Sequence, residues 1–244
     1  MTWIAVLLIG VALSDLAHSV RPAPLVNELV GAVVAVTVGL LAGLTEPVDL
    51  VALGVIALAV LGYGQSVTRA FTTGRSWAPL VVLGASLAGA IACSGWASAG
   101  GGLLGEWLAQ VQLPSLRGIS TDRVLLLLGA MLVQLSTGNV IVRLVLAATD
   151  TVAPELRATP SDPAEQLKGG RLLGPMERVL LLGLGLAGQL TAASIVTAAK
   201  GLLRWPELQS KPEQVRIHRL TEYFLVGSFV SWLVALSALA LVAR

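Results

Sequence analysis

Between Val179 and Ala199 the chain carries no ionisable side chain. Such a run of about 21 residues would extend roughly 31 Å as a helix, which matches a hydrocarbon core of about 30 Å. Charge stands at both ends, with Glu177 and Arg178 before the run and Lys200 and Arg204 after it. In lipid a segment must satisfy its own backbone polar groups, and an α-helix does so without a partner strand. Several other runs of similar length carry one charge or none, and charged residues make up only 12% of the chain. Soluble domains run at about 25%. The expected fold is therefore all-α, a polytopic transmembrane helix bundle of about seven spans forming a single membrane domain over residues 1–244.

The spans are expected at about 3–20, 25–44, 48–63, 78–96, 124–147, 179–199 and 220–242. Arg21-Pro22-Ala23-Pro24 closes the first, because two prolines end a helix. That first run lacks a basic leading segment and contains Asp15, so it is read as a retained span and not a cleaved signal. In the second, Gly31, Ala35, Gly39 and Gly43 recur every four residues, a small-residue stripe that lets another helix approach closely. Residues 103–113 are too short and too polar to cross. Leu103, Leu104, Trp107, Leu108 and Val111 can share one face opposite Glu106 and Gln110, which suits an interfacial helix. The Pro-, Thr- and Ser-rich stretch 149–170 is expected to be a mobile loop. Trp3, Trp77, Trp96, Trp107 and Trp205 fall at expected span ends and read as an interface belt.

An ionisable residue inside a span is costly and marks a candidate site. Asp15 is one, with Ser14 and His18 near it. The fifth span adds Gln134, Ser136, Asn139 and Arg143, of which the last three are spaced to share a helical face. These five are the candidates for a ligand or ion path. Glu177, Arg178, Lys200, Arg204 and Glu222 bracket the last two spans. Their natural use is structural, with Glu222 pairing Lys200 or Arg204 to hold those spans as a hairpin. Gly185, Gly188 and Gln189 join the second-span stripe as helix-packing positions. Gly183-x-Gly185-x-x-Gly188 matches a dinucleotide fingerprint in letters only, because that fingerprint needs a strand before it. Thr197 and Lys200 have the spacing of a nucleophile pair without its supporting motifs.

The C-terminal third has the pattern G-R-x-x-G-x-x-E-R, then G-Q, then A-A-K-x-x-x-R, then E-Y-x-x-x-G-S. The positions are Gly170, Arg171, Gly174, Glu177, Arg178, Gly188, Gln189, Ala198, Ala199, Lys200, Arg204, Glu222, Tyr223, Gly227 and Ser228. This pattern resembles the C-terminal part of an uncharacterised bacterial multi-pass inner-membrane family. The resemblance implies a membrane fold and a bacterial plasma-membrane location, but no activity. Members of that family usually carry a His- and Asp-rich first helix, of which Asp15 and His18 stand here.

Several function classes drop out. A net charge of +2 offers no basic footprint for nucleic acid. Two histidines and a single cysteine, Cys93, supply no zinc site and no internal disulfide. No metal, cofactor or catalytic residue is expected. The leading reading is a non-enzymatic membrane subunit or scaffold, its partners the lipid bilayer and either a second copy or another membrane protein. The alternative is a small transporter or channel with a polar path near Asp15 and Ser136–Arg143.

Overall fold

The computed structural model describes residues 1–111, 118–149, 151, 170–209 and 214–243, with the backbone alone at 170–171, 200, 203–209 and 214–221. All regular structure among them is helical: α1 (Thr2–Val20), α2 (Val26–Leu41), α3 (Pro47–Thr73), α4 (Trp77–Ala92), α5 (Gly102–Gln110), α6 (Thr121–Leu135), α7 (Thr137–Ala148), α8 (Gly170–Leu186), α9 (Leu190–Gln209) and α10 (Gln214–Val242). The helices fall into two compact units, Met1–Thr137 and Gly138–Arg244.

In the first unit α1 is the central element. Trp3 through Ala12 are all buried, and Ile4, Ala5 and Val6 have no exposed surface. Helices α2, α3, α4 and α6 pack around it. The α1–α2 contact is close because its residues are small. A side chain on Gly31 would lie 2.5 Å from the Gly10 carbonyl, and one on Gly10 would lie 2.8 Å from Ala35 Cβ. Gly39 clears space for Leu53 of α3. The stripe on α2 is thus filled from within the unit. Gly43 stands apart from it, beyond the end of α2 in a left-handed turn (φ 83°) that the Gly102 backbone approaches.

Two carboxylates tie the start of α1 to its neighbours. Asp49, in the first turn of α3, accepts from Trp3 Nε1 at 2.8 Å. Asp122, in the first turn of α6, accepts from Thr2 Oγ1 at 2.7 Å and from the Gly100 amide at 2.8 Å. Negative charge suits a helix N-terminus, where the backbone dipole is positive. Trp3 is 5% exposed and so belongs to this junction instead of an interface belt.

Seven continuous spans are not supported. Among the described residues three helices are long and apolar enough to cross a membrane, Thr2–Val20, Pro47–Thr73 and Glu222–Val242, and a fourth is possible if α6 and α7 form one broken span. Helices α2 and α4 are 16 residues each, about 24 Å long and below the usual spanning length. The expected span 179–199 is interrupted. Helix α8 stops at Leu186, Gly188 takes φ 72°, and α9 begins at Leu190. The third span runs the other way, continuing past residue 63 to Thr73, where Gly74 (φ 77°) caps it. Residues 103–110 do form a short helix with no buried side chain, leaving Leu103 and Trp107 exposed. Nearly all of the expected loop 149–170 lies outside the described residues.

Candidate functional site

Besides the junction at the start of α1, the first unit has a second buried polar group near the end of that helix. Asp15 is 7% exposed, and its Oδ2 accepts from the Tyr63 hydroxyl at 3.3 Å. The Thr137 hydroxyl lies beside the same carboxyl. Asp15 arrives on α1, Tyr63 on α3, and Thr137 where α7 begins. His18, three residues on from Asp15, approaches Asn27, whose Nδ2 also donates to the Arg21 carbonyl at 2.7 Å.

A second carboxylate, Glu28 of α2, is 3% exposed. It accepts from Gln65 Nε2 at 3.0 Å and from Thr68 Oγ1 at 3.4 Å. Gly64 leaves the space that the Glu28 side chain fills. Among the described residues, neither Asp15 nor Glu28 has a lysine or arginine within ion-pair distance. Both are held by neutral donors.

Helix α6 ends where this polar group lies. Ser136 departs from helical geometry (φ −125°, ψ −63°), and the chain resumes as α7 at Thr137. Gln134 and Ser136 are buried, and Gln134 Nε2 donates back to the Ala130 carbonyl at 3.1 Å. The break removes the shared face expected for Ser136, Asn139 and Arg143, since that face requires an unbroken helix. Arg143 is exposed and Asn139 serves a different group.

That group is Arg178 of α8, in the second unit, with 1% exposure. Its Nη2 donates to Asn139 Oδ1 at 2.8 Å, and its Nη1 donates to Ser231 Oγ at 3.2 Å. Gly138 is its floor, because a side chain there would lie 2.5 Å from the guanidinium Nε. Beside it, Glu177 accepts from Trp232 Nε1 at 3.1 Å. Three helices, α7, α8 and α10, therefore meet on one charged pair. Gly185 packs against Leu239, joining α8 to α10 a second time. Gly188 faces open space, Gln189 is exposed, and the Gln189 amide bonds the Leu184 carbonyl at 2.8 Å across the break. Glu222 is exposed. The side chains of Lys200 and Arg204, and with them the expected pairing, lie outside the described ones.

Tyr63, Ser231 and Trp232 carry no local sequence signal of a site role. Glu28 carried the one available signal, a carboxylate three residues before the first glycine of the α2 stripe. Tyr63 reaches Asp15 across 48 residues of sequence, and only the packing of α3 on α1 brings them together.

Among the described residues no group of histidines, cysteines and carboxylates could hold a metal ion by itself. No family model, curated protein or solved structure matches this chain.

Proposed function

We propose that the protein is a multi-pass integral membrane protein, of a bacterial plasma membrane, that moves a small cation or a proton past Asp15. The observation that carries this reading is a buried carboxyl, placed on a helix long and apolar enough to cross a membrane, whose bonding partner is a neutral hydroxyl. A carboxyl locked to an arginine serves structure. One held by hydroxyls can exchange its counter-charge without breaking an ion pair, and such groups mark ion routes in membrane proteins. The resemblance of the C-terminal third to an inner-membrane family supports the location.

The test is ion flux into proteoliposomes loaded with a pH-sensitive or sodium-sensitive dye. The purified protein dissipates an imposed gradient, and Asp15→Asn slows it at least tenfold while eluting as a folded species. Flux no greater than in protein-free vesicles contradicts the proposal.

A membrane-embedded subunit is the second reading. Its support is an apolar groove of about 430 Å³ in the second unit, lined by Thr197, Gly201, Phe224, Ser228, Phe229 and Trp232. A second copy of the chain filling that groove would double the particle mass in nanodiscs, and a monomeric mass removes this reading.

A further inference from the structure

We propose that Glu28 is a second proton-holding carboxyl on the route past Asp15, one turn nearer the end of the bundle, and that the ion this route carries is a proton. The inference rests on the transport reading and names its ion.

The helix register places the two carboxyls in sequence. Helices α1 and α2 run antiparallel. A side chain on Gly10 would lie 2.8 Å from Ala35 Cβ, one on Gly31 would lie 2.7 Å from Ser14 Cβ, and His18 approaches Asn27 at 3.5 Å. Glu28 stands three residues before Gly31, about 4.5 Å of helix rise. It therefore lies further toward the end of α1 than the level of Ser14 and Asp15. Helix α3 runs parallel to α1, with Val60 against Gly10, and serves both carboxyls from successive positions. Tyr63 bonds Asp15, and Gly64 clears the space that Glu28 fills. Around Glu28 the surroundings open to solvent, with Gln65 and Thr68 half-buried and His18 exposed.

Each carboxyl has a hydroxyl partner, and a hydroxyl both donates and accepts. The Thr68 hydroxyl donates to Glu28 Oε1 at 3.4 Å, while Gln65 Nε2 donates to Oε2 at 3.0 Å. When Oε1 takes a proton, its new O–H donates to Thr68 Oγ1 and Oε2 goes on accepting from Gln65. The Tyr63 hydroxyl allows the same reversal at Asp15 Oδ2. Both protonation states keep their hydrogen bonds in place, which a buried polar group requires. A metal ion would have to displace the donors that already meet Oε1 and Oε2.

In each transfer one O–H bond breaks and one forms. Hydronium at the end of the bundle gives its proton to the Glu28 carboxylate and becomes water. The Glu28 acid then gives the proton to the Asp15 carboxylate and is a carboxylate again. The other titratable or charged groups of α1 and α3 around this level are His18, Tyr63 and Arg69, and Arg69 is exposed. Glu28 also anchors the end of α3, so the two roles must be separated. Glu28→Gln keeps the size of the side chain and its bonds to Gln65 and Thr68, hence the anchor, and loses the proton site.

The experiment measures proton uptake into proteoliposomes of the full chain holding a pH-sensitive dye, driven by a potassium diffusion potential in sodium-free buffer. The wild type is compared with Asp15→Asn, Glu28→Gln and Glu28→Asp. Glu28→Gln should slow uptake by about tenfold or more, since a positioned proton-transfer group carries at least that much of a rate. Glu28→Asp, which restores the carboxyl, should recover most of it. If Glu28→Gln does not fold, the hydroxyl decides: Thr68→Val should slow uptake and Thr68→Ser should retain it. Wild-type uptake in folded Glu28→Gln or in Thr68→Val overturns the inference, and so does slowing in Glu28→Asp as large as in Glu28→Gln. Flux of sodium without protons overturns it as well. Proton flux that needs Asp15 but not Glu28 sinks this inference and leaves the transport reading standing. No flux of either ion through the wild type removes both.

Discussion

Gly31 sits where a methyl group has no room, because its missing side chain would press on the Gly10 carbonyl and on Ser14. Alanine favours a helix over glycine by about 1 kcal/mol, but overpacking against backbone costs about 1–3 kcal/mol. Gly31→Ala should therefore destabilise the protein, by on the order of 1 kcal/mol, measured as a lower unfolding midpoint in detergent. Gly62, with open space around it, is the control, and Gly62→Ala should be neutral or slightly stabilising. At Arg178 the relevant loss is a charge-assisted hydrogen bond. Asn139→Leu removes the acceptor 2.8 Å from Nη2, which should cost about 1.5–3 kcal/mol in the same measurement. Asp15 and the glycines of α2 stood out in the sequence because rarity within an apolar run and a four-residue period are local properties. The Asp15–Tyr63 contact is set by which helices touch, and no local pattern encodes that.

Glu28 reorganises an entire element. The stretch from Gln65 to Trp77 reads as a linker because it is polar, yet α3 continues through it to Thr73. Two of its polar side chains, Gln65 and Thr68, are spent on the buried Glu28 carboxylate, so their polarity faces the bundle. Glu28→Ala should fray this end of α3, seen as faster amide hydrogen exchange over residues 65–73 with the first half of α3 unchanged. Equal protection would show that the extension stands by itself. The opposite error arises at 179–199, where absence of charge suggested one span. Apolarity fixes the solvent a segment tolerates and leaves its continuity open. Continuity fails at Gly188, whose left-handed backbone ends the helix.

At the scale of the molecule, polarity is turned inside out. Asp15, Glu28, Asp49, Gln134 and Arg178 are buried, while Val33, Val51, Leu58, Leu180, Phe229 and Leu236 are exposed. Water selects against that arrangement, since exposed apolar area costs about 25 cal/mol per Å². Lipid imposes no such penalty, and there packing of small residues and internal hydrogen bonds holds the helices together. The all-helical class was readable from charge-free runs alone. The number of spans was not, because α2 and α4 are short and the fifth and sixth runs are broken. The most direct measurement is extraction of the expressed full chain from isolated membranes with alkaline carbonate and then with detergent. An integral membrane protein stays in the membrane pellet through carbonate and enters solution only with detergent, and that is the expected result. Release into the carbonate supernatant as a folded species would contradict it.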